Sequence, residues 1–391
     1  MVAAPLGFAS GLLEDFPHIS TTDVKSDIPI FLISGRNLLD SPQGVNPFGN
    51  QRSTNPTPHL AIAKVAVGEG LSREHIINET LSSESGIRKT RFELKEINLF
   101  PTLPIDHFTL NHSECNNEDH PWISELRQQL DRSRQRTIAI YVHGFNTKLI
   151  PNTEFAAAMS HFGGREGAVV SYEWPSLGSI SAYAADKGNA EYSTRVFRGV
   201  IANLAKETGA DQVNIVAHSA GCPIVVNALK ELRLTYKDLN PDQLNEKFRI
   251  SRVALAAPDM DLMTFYNGVF DRFYEATGGV AVYASSADKA LDFSANMFRA
   301  ERLGTAVDDL KPWEKEAMLR AGKIEMIDVS VPEQNSRGWV GHTYYYRNTW
   351  VSSDLFSFLS GKSPEERMLV RQDGEIFWGF PENFPELRLN F

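Results

Sequence analysis

Six short apolar runs recur between residues 137 and 331 and limit the folds that are possible for this protein. Strands that are apolar along their whole length are typical of a parallel sheet covered by helices on both faces. The stretches between the runs predict helices, because apolar residues recur every three or four positions over 188–208 and over 222–232. Alternating strands and helices predict an α/β fold with a mostly parallel, doubly wound sheet. The six predicted strands lie at 137–142, 168–172, 213–216, 252–257, 280–284 and 325–331.

The residues before 137 predict one further edge of this sheet. Apolar stretches at 28–34, 59–67 and 91–97 predict strands, and the third alternates apolar with charged residues, which suits a strand with one solvated face. We expect these strands to extend the sheet in partly antiparallel fashion. Residues 36–58 are rich in Asn, Pro, Gly and Ser and predict a long surface loop.

Composition excludes several classes of protein. With 391 residues, 42% of them hydrophobic and 23% charged, the chain is typical of a globular protein. A formal net charge of -10 disfavours nucleic acid and anionic membranes as partners. The two cysteines, Cys115 and Cys222, are too few for a disulfide framework. No stretch reaches the roughly 18 apolar residues of a membrane-spanning helix, and the sequence leaves the compartment open.

The sequence AHSAG at 217–221 lies between a predicted strand and a predicted helix. A turn this tight holds Ser219 in strained backbone geometry and requires small residues two positions away, here Ala217 and Gly221. It matches the nucleophile elbow G-x-S-x-G, with Ala217 in place of the first glycine. The helix that follows directs free N–H groups and a positive dipole at an anion above the serine. Ser219 is therefore the predicted nucleophile; an ordinary buried serine in a strand-to-helix turn is the alternative.

A serine nucleophile needs a base, which is usually a histidine oriented by a carboxylate. His342 is the only one of the ten histidines that follows Ser219, and the expected chain order is Ser, then Asp or Glu, then His. We predict His342 as the base and Asp288, which follows a predicted strand, as the acid. Asp261 is the alternative acid, with Asp259 beside it, and any of the three could instead cap a helix.

The sequence HGFN at 143–146 follows another predicted strand and supplies a second loop beside the serine. An oxyanion needs two N–H donors, one from the residue after the nucleophile and one from an earlier strand-to-helix loop. We predict these donors as the backbone N–H groups of Ala220 and Phe145. Gly144 lets the backbone approach closely, and His143 is expected to be structural.

These motifs together resemble those of the α/β-hydrolase superfamily. More narrowly, the sequence is similar to a mostly bacterial branch classified as a domain of unknown function. The resemblance spans roughly residues 28–360 and implies a serine hydrolase with the triad placed as above, but no settled substrate. Its motifs are HGFN at 143–146, YEWPS at 172–176, AHSAG at 217–221, AAPD at 256–259, SSADKAL at 285–291 and GHTYY at 341–345.

Other side chains allow two interpretations. Trp174 ends a strand on the expected active-site side, where it would wall an acyl pocket or pack in the core. Tyr183 and Asp186 would reach substrate or cap the next helix. The polar cluster at 106–120 contains residues that can bind metals, but its spacing fits no compact zinc pattern. We therefore predict a surface loop there and no metal site.

We divide the chain into a loose N-terminal segment at 1–27, an α/β-hydrolase domain at 28–360 and a C-terminal extension at 361–391. Within the domain, residues 289–323 form an insertion between the last two predicted strands. It forms either a lid over an acyl pocket or helix packed on the sheet, and its apolar residues are Phe293, Met297, Phe298, Leu303 and Trp313.

The predicted function is cleavage of a small-molecule carboxylic ester through an acyl-enzyme, with no metal or organic cofactor. Thioesters and amides remain open, because a triad does not encode the leaving group. A hydrolase fold kept as a binding scaffold is the alternative from another class; the apparently complete triad argues against it. The sequence does not determine the oligomeric state.

Overall fold

A ten-stranded sheet organises the part of the chain that this computed structural model describes. Within the described residues, the strands of the sheet and of a separate hairpin are β1 (Ile28–Ser34), β2 (Arg36–Gln43), β3 (Asn46–Arg52), β4 (His59–Val67), β5 (Phe92–Phe100), β6 (Thr137–Val142), β7 (Ala168–Glu173), β8 (Gln212–His218), β9 (Ile250–Ala256), β10 (Gly279–Ala284), β11 (Ile324–Asp328) and β12 (Phe377–Gly379). The structure describes residues 26–55, 57–72, 75–76, 90–103, 120–179, 182–268, 270–307, 310–330, 342, 345, 348–371 and 375–381.

The sheet order is β12-β11-β10-β9-β8-β6-β7-β1-β4-β5, and the strands from β12 to β1 pair in parallel. Strands β6 to β11 confirm the six predicted apolar strands. Strand β12, which pairs with β11, lies within the predicted C-terminal extension. Because all these strands are parallel, their carboxyl ends meet at one edge of the sheet, where the loops that follow them come together.

The first strands extend the sheet as predicted. Strand β1 pairs in parallel with β7 on one side and antiparallel with β4 on the other, and β5 adds antiparallel to β4. Strand β5 keeps one solvated face, since Glu93, Lys95 and Glu96 are exposed while Leu94 is buried.

The predicted surface loop at 36–58 is wrong. Its residues form an antiparallel hairpin of β2 and β3, which turns at Gly44 with a φ of 62°. Asn, Pro and Gly predict a loop because they disfavour strands, but Phe48 and Arg36 are buried against the rest of the domain. These tertiary contacts outweigh the local preference, and they bring Arg36 beneath the carboxyl edge of the sheet.

Helices cover both faces of the sheet and pack two apolar cores. The helices of the described residues are α1 (Pro121–Asp131), α2 (Leu149–Phe162), α3 (Tyr183–Glu207), α4 (Cys222–Thr235), α5 (Pro241–Phe248), α6 (Leu262–Gly268), α7 (Phe270–Phe273), α8 (Lys289–Phe298), α9 (Pro312–Ala321) and α10 (Thr349–Leu359). Helices α1, α3 and α4 contribute to one core, and α2 and α10 contribute to the other. This confirms the doubly wound fold and the helices predicted over 188–208 and 222–232. Among the described residues, none of the helices could span a lipid bilayer.

The insertion at 289–323 contains two helices, α8 and α9. Helix α9 packs on the core through Met318. Helix α8 buries Leu291 and Ser294 but leaves Phe293 and Met297 57% and 47% exposed. Whether α8 acts as a lid stays a prediction.

Candidate active site

A single 3₁₀ turn, Ser219–Gly221, joins strand β8 to helix α4. The backbone of Ser219 has a φ of 52°, in the left-handed region that non-glycine residues rarely occupy, and its side chain is buried. The backbone at Gly221 lies so close to the end of β6 that a Cβ on Gly221 would overlap the carbonyl oxygens of His143 and Val142. Ala217 lies fully buried between β6 and β9. The close approach of the neighbouring backbone therefore requires glycine at position 221.

Ser219, His342 and Asp288 form a continuous hydrogen-bonded chain. Nε2 of His342 lies 2.8 Å from Oγ of Ser219, and its Nδ1 lies 2.7 Å from Oδ2 of Asp288. Because a carboxylate oxygen can only accept, Nδ1–H donates to Asp288 and Nε2 accepts the serine hydroxyl proton. Asp288 is fully buried, whereas the His342 side chain keeps 17% of its surface exposed. The imidazole therefore bridges a buried carboxylate and the serine oxygen.

The carboxylate of Asp288 also caps helix α8. Its Oδ1 accepts hydrogen bonds from the N–H groups of Ala290 and Leu291, at 3.0 and 3.1 Å. The capping alternative raised by the sequence is thus present together with the contact to His342. Helix α8 fixes the carboxylate at the position where Oδ2 meets the imidazole.

The competing carboxylates point elsewhere. Oδ1 of Asp261 accepts the N–H of Thr264 and so caps α6. Asp259 is buried and accepts hydrogen bonds from the hydroxyls of Tyr183 and Ser294. Neither contacts the imidazole that Asp288 holds.

His218, the residue before the serine, supports the backbone of His342. Its Nε2–H donates to the carbonyl oxygen of His342 at 3.0 Å, and its ring stacks 4.6 Å from that of Tyr345. Burial and the neighbouring His342 lower the pKa of His218 well below its ordinary value. The ring therefore stays neutral and acts as a fixed donor. This contact was not predicted from the sequence, although the position of His218 next to Ser219 was a possible signal.

The loop at 143–147 lies against Ser219. A Cβ on Gly144 would lie 2.7 Å from Nδ1 of His218 and 3.0 Å from the Ser219 Cβ, so glycine allows this close approach. The carbonyl oxygen of Gly144 accepts from Nδ1 of His143 at 2.8 Å and from Oγ1 of Thr147 at 3.1 Å. Both anchors fix the orientation of the Gly144–Phe145 peptide beside the serine.

Trp174 supports this loop from behind. It has no exposed surface, its Nε1–H donates to the carbonyl oxygen of His143 at 2.7 Å, and its ring stacks on that of His143 at 5.2 Å. Trp174 therefore packs in the core at this position and does not face solvent.

Tyr183 begins helix α3 and joins three segments near the serine. Its hydroxyl donates to Asp259, and its ring contacts Phe145 at 4.8 Å and Phe298 at 5.3 Å. The hydroxyl is thus committed to a buried carboxylate, and the ring is the part that borders the 143–147 loop. Asp186 accepts from Ser176 and Leu177, which makes it a local anchor.

Two buried charged residues near the site were missed by sequence reasoning. Arg36 comes from the hairpin and Glu173 from the end of β7, and both side chains are fully buried behind the 143–147 loop. Among the described residues, no group of three or more His, Cys, Asp or Glu could hold a metal. The polar cluster predicted as a surface loop lies, apart from His120 at its end, outside the described residues.

Known proteins share this fold. The family described as "Alpha/beta hydrolase of unknown function (DUF900)" matches residues 120–358. No curated protein matches the chain in sequence.

Several solved structures resemble the chain at low identity. Esterase B from Lactobacillus rhamnosis is 11% identical, with a TM-score of 0.31, and the match covers 60% of this chain and 80% of that chain. A fungal esterase from Rhizomucor miehei is 10% identical, with a TM-score of 0.31 and coverage of 59% and 75%. A lipase-esterase related protein from Clostridium acetobutylicum is 10% identical, with a TM-score of 0.29 and coverage of 57% and 95%. Scores this low carry no argument about substrate or mechanism.

Proposed function

This chain belongs to the DUF900 family of alpha/beta hydrolases, and we propose that it is a serine hydrolase that cleaves carboxylic esters. The observation that carries the proposal is the hydrogen-bonded chain from Ser219 through His342 to Asp288. A serine at positive φ, a histidine and a buried carboxylate in this geometry are the parts of an activated nucleophile.

The proposed reaction proceeds in two halves. Oγ of Ser219 attacks the ester carbonyl carbon while Nε2 of His342 takes the hydroxyl proton. The tetrahedral intermediate collapses, His342 returns the proton to the leaving alcohol, and an acyl-enzyme remains. A water molecule then repeats the sequence, with His342 as base, and releases the acid. Asp288 holds the imidazole tautomer and stabilises its charged form throughout.

The oxyanion would be held by the N–H groups of Phe145 and Ala220. Ala220 lies in the first turn after Ser219, where helix N–H groups have no partner within the helix. The carbonyl oxygen of Gly144 accepts a hydrogen bond from Nδ1 of His143. In a trans peptide the N–H of the following residue, Phe145, points in the opposite direction from this carbonyl. The proximity of Gly144 to Ser219 supports Phe145 as the second donor.

A fluorophosphonate probe tests the proposal directly, because it reacts with activated serines. Wild-type protein should become labelled on the peptide that contains Ser219, identified by mass spectrometry, and should hydrolyse p-nitrophenyl esters. Heat-denatured protein is the control and should remain unlabelled. A native protein that neither reacts with the probe nor turns over any ester in a panel from acetate to octanoate would instead support the scaffold alternative.

The choice of acid is tested by comparing Asp288→Asn with Asp261→Asn. Asparagine keeps a side-chain oxygen that can cap a helix, so both variants should fold. Asp288→Asn should lower kcat by about 10⁴-fold, because the amide no longer fixes the imidazole tautomer. Asp261→Asn should stay within a few-fold of wild type. A larger loss at Asp261 in steady-state ester kinetics would reverse the assignment.

The prediction that the insertion covers an acyl pocket is tested at Phe298. The ring of Phe298 contacts that of Tyr183, and its centroid lies 3.4 Å from Nζ of Lys187. If Phe298 limits the acyl pocket, Phe298→Ala should raise kcat/KM for octanoate relative to acetate by about tenfold, the worth of one or two methylene groups in an apolar pocket. Phe293→Ala removes an exposed ring from the same helix and is the matched control. A lower Tm with an unchanged chain-length profile would show that Phe298 only packs.

A further inference from the structure

The guanidinium of Arg36 is fully buried and binds the segments around the 143–147 loop. Nη2 donates to the carbonyl oxygen of Thr147 at 2.9 Å and lies 3.3 Å from Nε2 of His143. Nη1 donates to the carbonyl oxygen of Ser176 at 2.9 Å. A single side chain from the N-terminal hairpin thus holds both ends of the loop and the segment after β7.

The ion pair between Arg36 and Glu173 is incomplete. The nearest carboxylate, Glu173, lies 3.8 Å from Nε, and neither that Nε nor Oε2 of Glu173 has a hydrogen-bond partner within the described part of the chain. A buried ion pair stabilises a fold only when its geometry is good and its remaining atoms are satisfied. Because Arg36 forms its close contacts with the 143–147 loop and with Ser176, its position is explained better by the loop than by the ion pair.

Arg36 also decides which nitrogen of His143 carries the proton. A guanidinium can only donate, so Nε2 of His143 must accept, and the proton must sit on Nδ1. Nδ1–H then donates to the carbonyl oxygen of Gly144. Burial and the adjacent Arg36 lower the pKa of His143 to about 3, which keeps the imidazole neutral. The relay from Arg36 through His143 therefore ends on the Gly144–Phe145 peptide.

We propose that Arg36 is a positioning residue for the oxyanion site, acting through His143 and Thr147 to hold the N–H of Phe145 toward the substrate oxygen. This inference rests on the proposed serine hydrolase function. Without Arg36, neither the tautomer of His143 nor the position of Thr147 would be fixed, so the two donors to the Gly144 carbonyl would hold this peptide less firmly. The substrate oxygen acquires its negative charge only in the transition state, so the effect should fall on kcat and leave KM nearly unchanged.

The test compares an oxygen ester with its thionoester, in which sulfur replaces the carbonyl oxygen. Sulfur is a weak hydrogen-bond acceptor and gains little from oxyanion donors. Arg36→Met retains length but removes every donor, and it should lower kcat for the p-nitrophenyl ester by about 10²-fold, the worth of one such donor. The thionoester rate should change by no more than about 3-fold, so the preference for oxygen shrinks.

Two further variants separate this role from simple destabilisation. Arg36→Lys keeps the buried charge, but a single ammonium cannot satisfy Thr147, His143 and Ser176 together. It should show a smaller loss with the same oxygen-specific pattern, and it decides the question if Arg36→Met does not fold. Leu38→Ala alters a 42% exposed residue of the same strand and should match wild type in both rates.

The outcomes are distinguishable. Equal losses for both esters, a rise in KM that accounts for the loss, or wild-type kcat in a folded Arg36 variant would overturn the positioning role. In each of these cases an active wild type would leave the serine hydrolase assignment intact. A wild type that hydrolyses neither ester would overturn the proposed function, and the positioning role with it.

Discussion

Ser219→Ala is expected to leave a folded protein with almost no esterase activity. By comparison with other catalytic triads, kcat should fall by about 10³-fold or more. The substitution removes the attacking oxygen, and alanine is small enough for the tight turn between β8 and α4. The hydroxyl contacts His342, so its loss removes no core packing. Turnover of a p-nitrophenyl ester and the Tm measured on one preparation check both parts of this expectation.

Ser193→Ala is the matched control for this variant. Ser193 is also buried, but its hydroxyl donates within α3 to the carbonyl oxygen of Asn189. It should retain most of the wild-type activity. Normal turnover by Ser219→Ala would remove the proposed nucleophile, whatever Ser193→Ala does.

His342→Ala is expected to be about as damaging as Ser219→Ala, a loss of 10³-fold or more, because an unassisted serine hydroxyl is a poor nucleophile. The vacated site is partly open, since the His342 side chain is 17% exposed. Added imidazole should therefore restore part of the activity of His342→Ala and none of that of Ser219→Ala. Steady-state rates with and without imidazole give this comparison.

His143→Ala separates the base from the 143–147 loop. If the assignments are right, His143→Ala lowers the rate for oxygen esters more than for thionoesters, and imidazole does not restore it. His342→Ala lowers both rates alike. A stably folded His143→Ala variant without turnover, beside an active His342→Ala variant, would contradict the choice of base.

The strands of the sheet other than β12 were predictable because their signals are local. Strands β6 to β11 are short apolar runs, and burial on both faces of a parallel sheet requires that pattern wherever the strand lies. The turn at Ser219 was predictable for the same reason, since the residues that permit it lie within two positions. His342 was predictable only because it is the sole histidine after Ser219.

The choice of acid and the conformation of residues 36–52 depend on residues that are distant in the sequence. Asp288 and Asp261 each follow a strand and each cap a helix, so the sequence placed Asp288 first from the order of the strands alone. Only the placement of His342 over Asp288 separates the two. The hairpin was mistaken for a loop because its strands are held in place by the burial of Phe48 and Arg36. The residues that Arg36 contacts lie more than a hundred positions away in the sequence. A composition rich in Asn, Pro and Gly reports weak local strand preference, whereas the free energy that forms this hairpin comes from burial against segments that only the folded chain brings together.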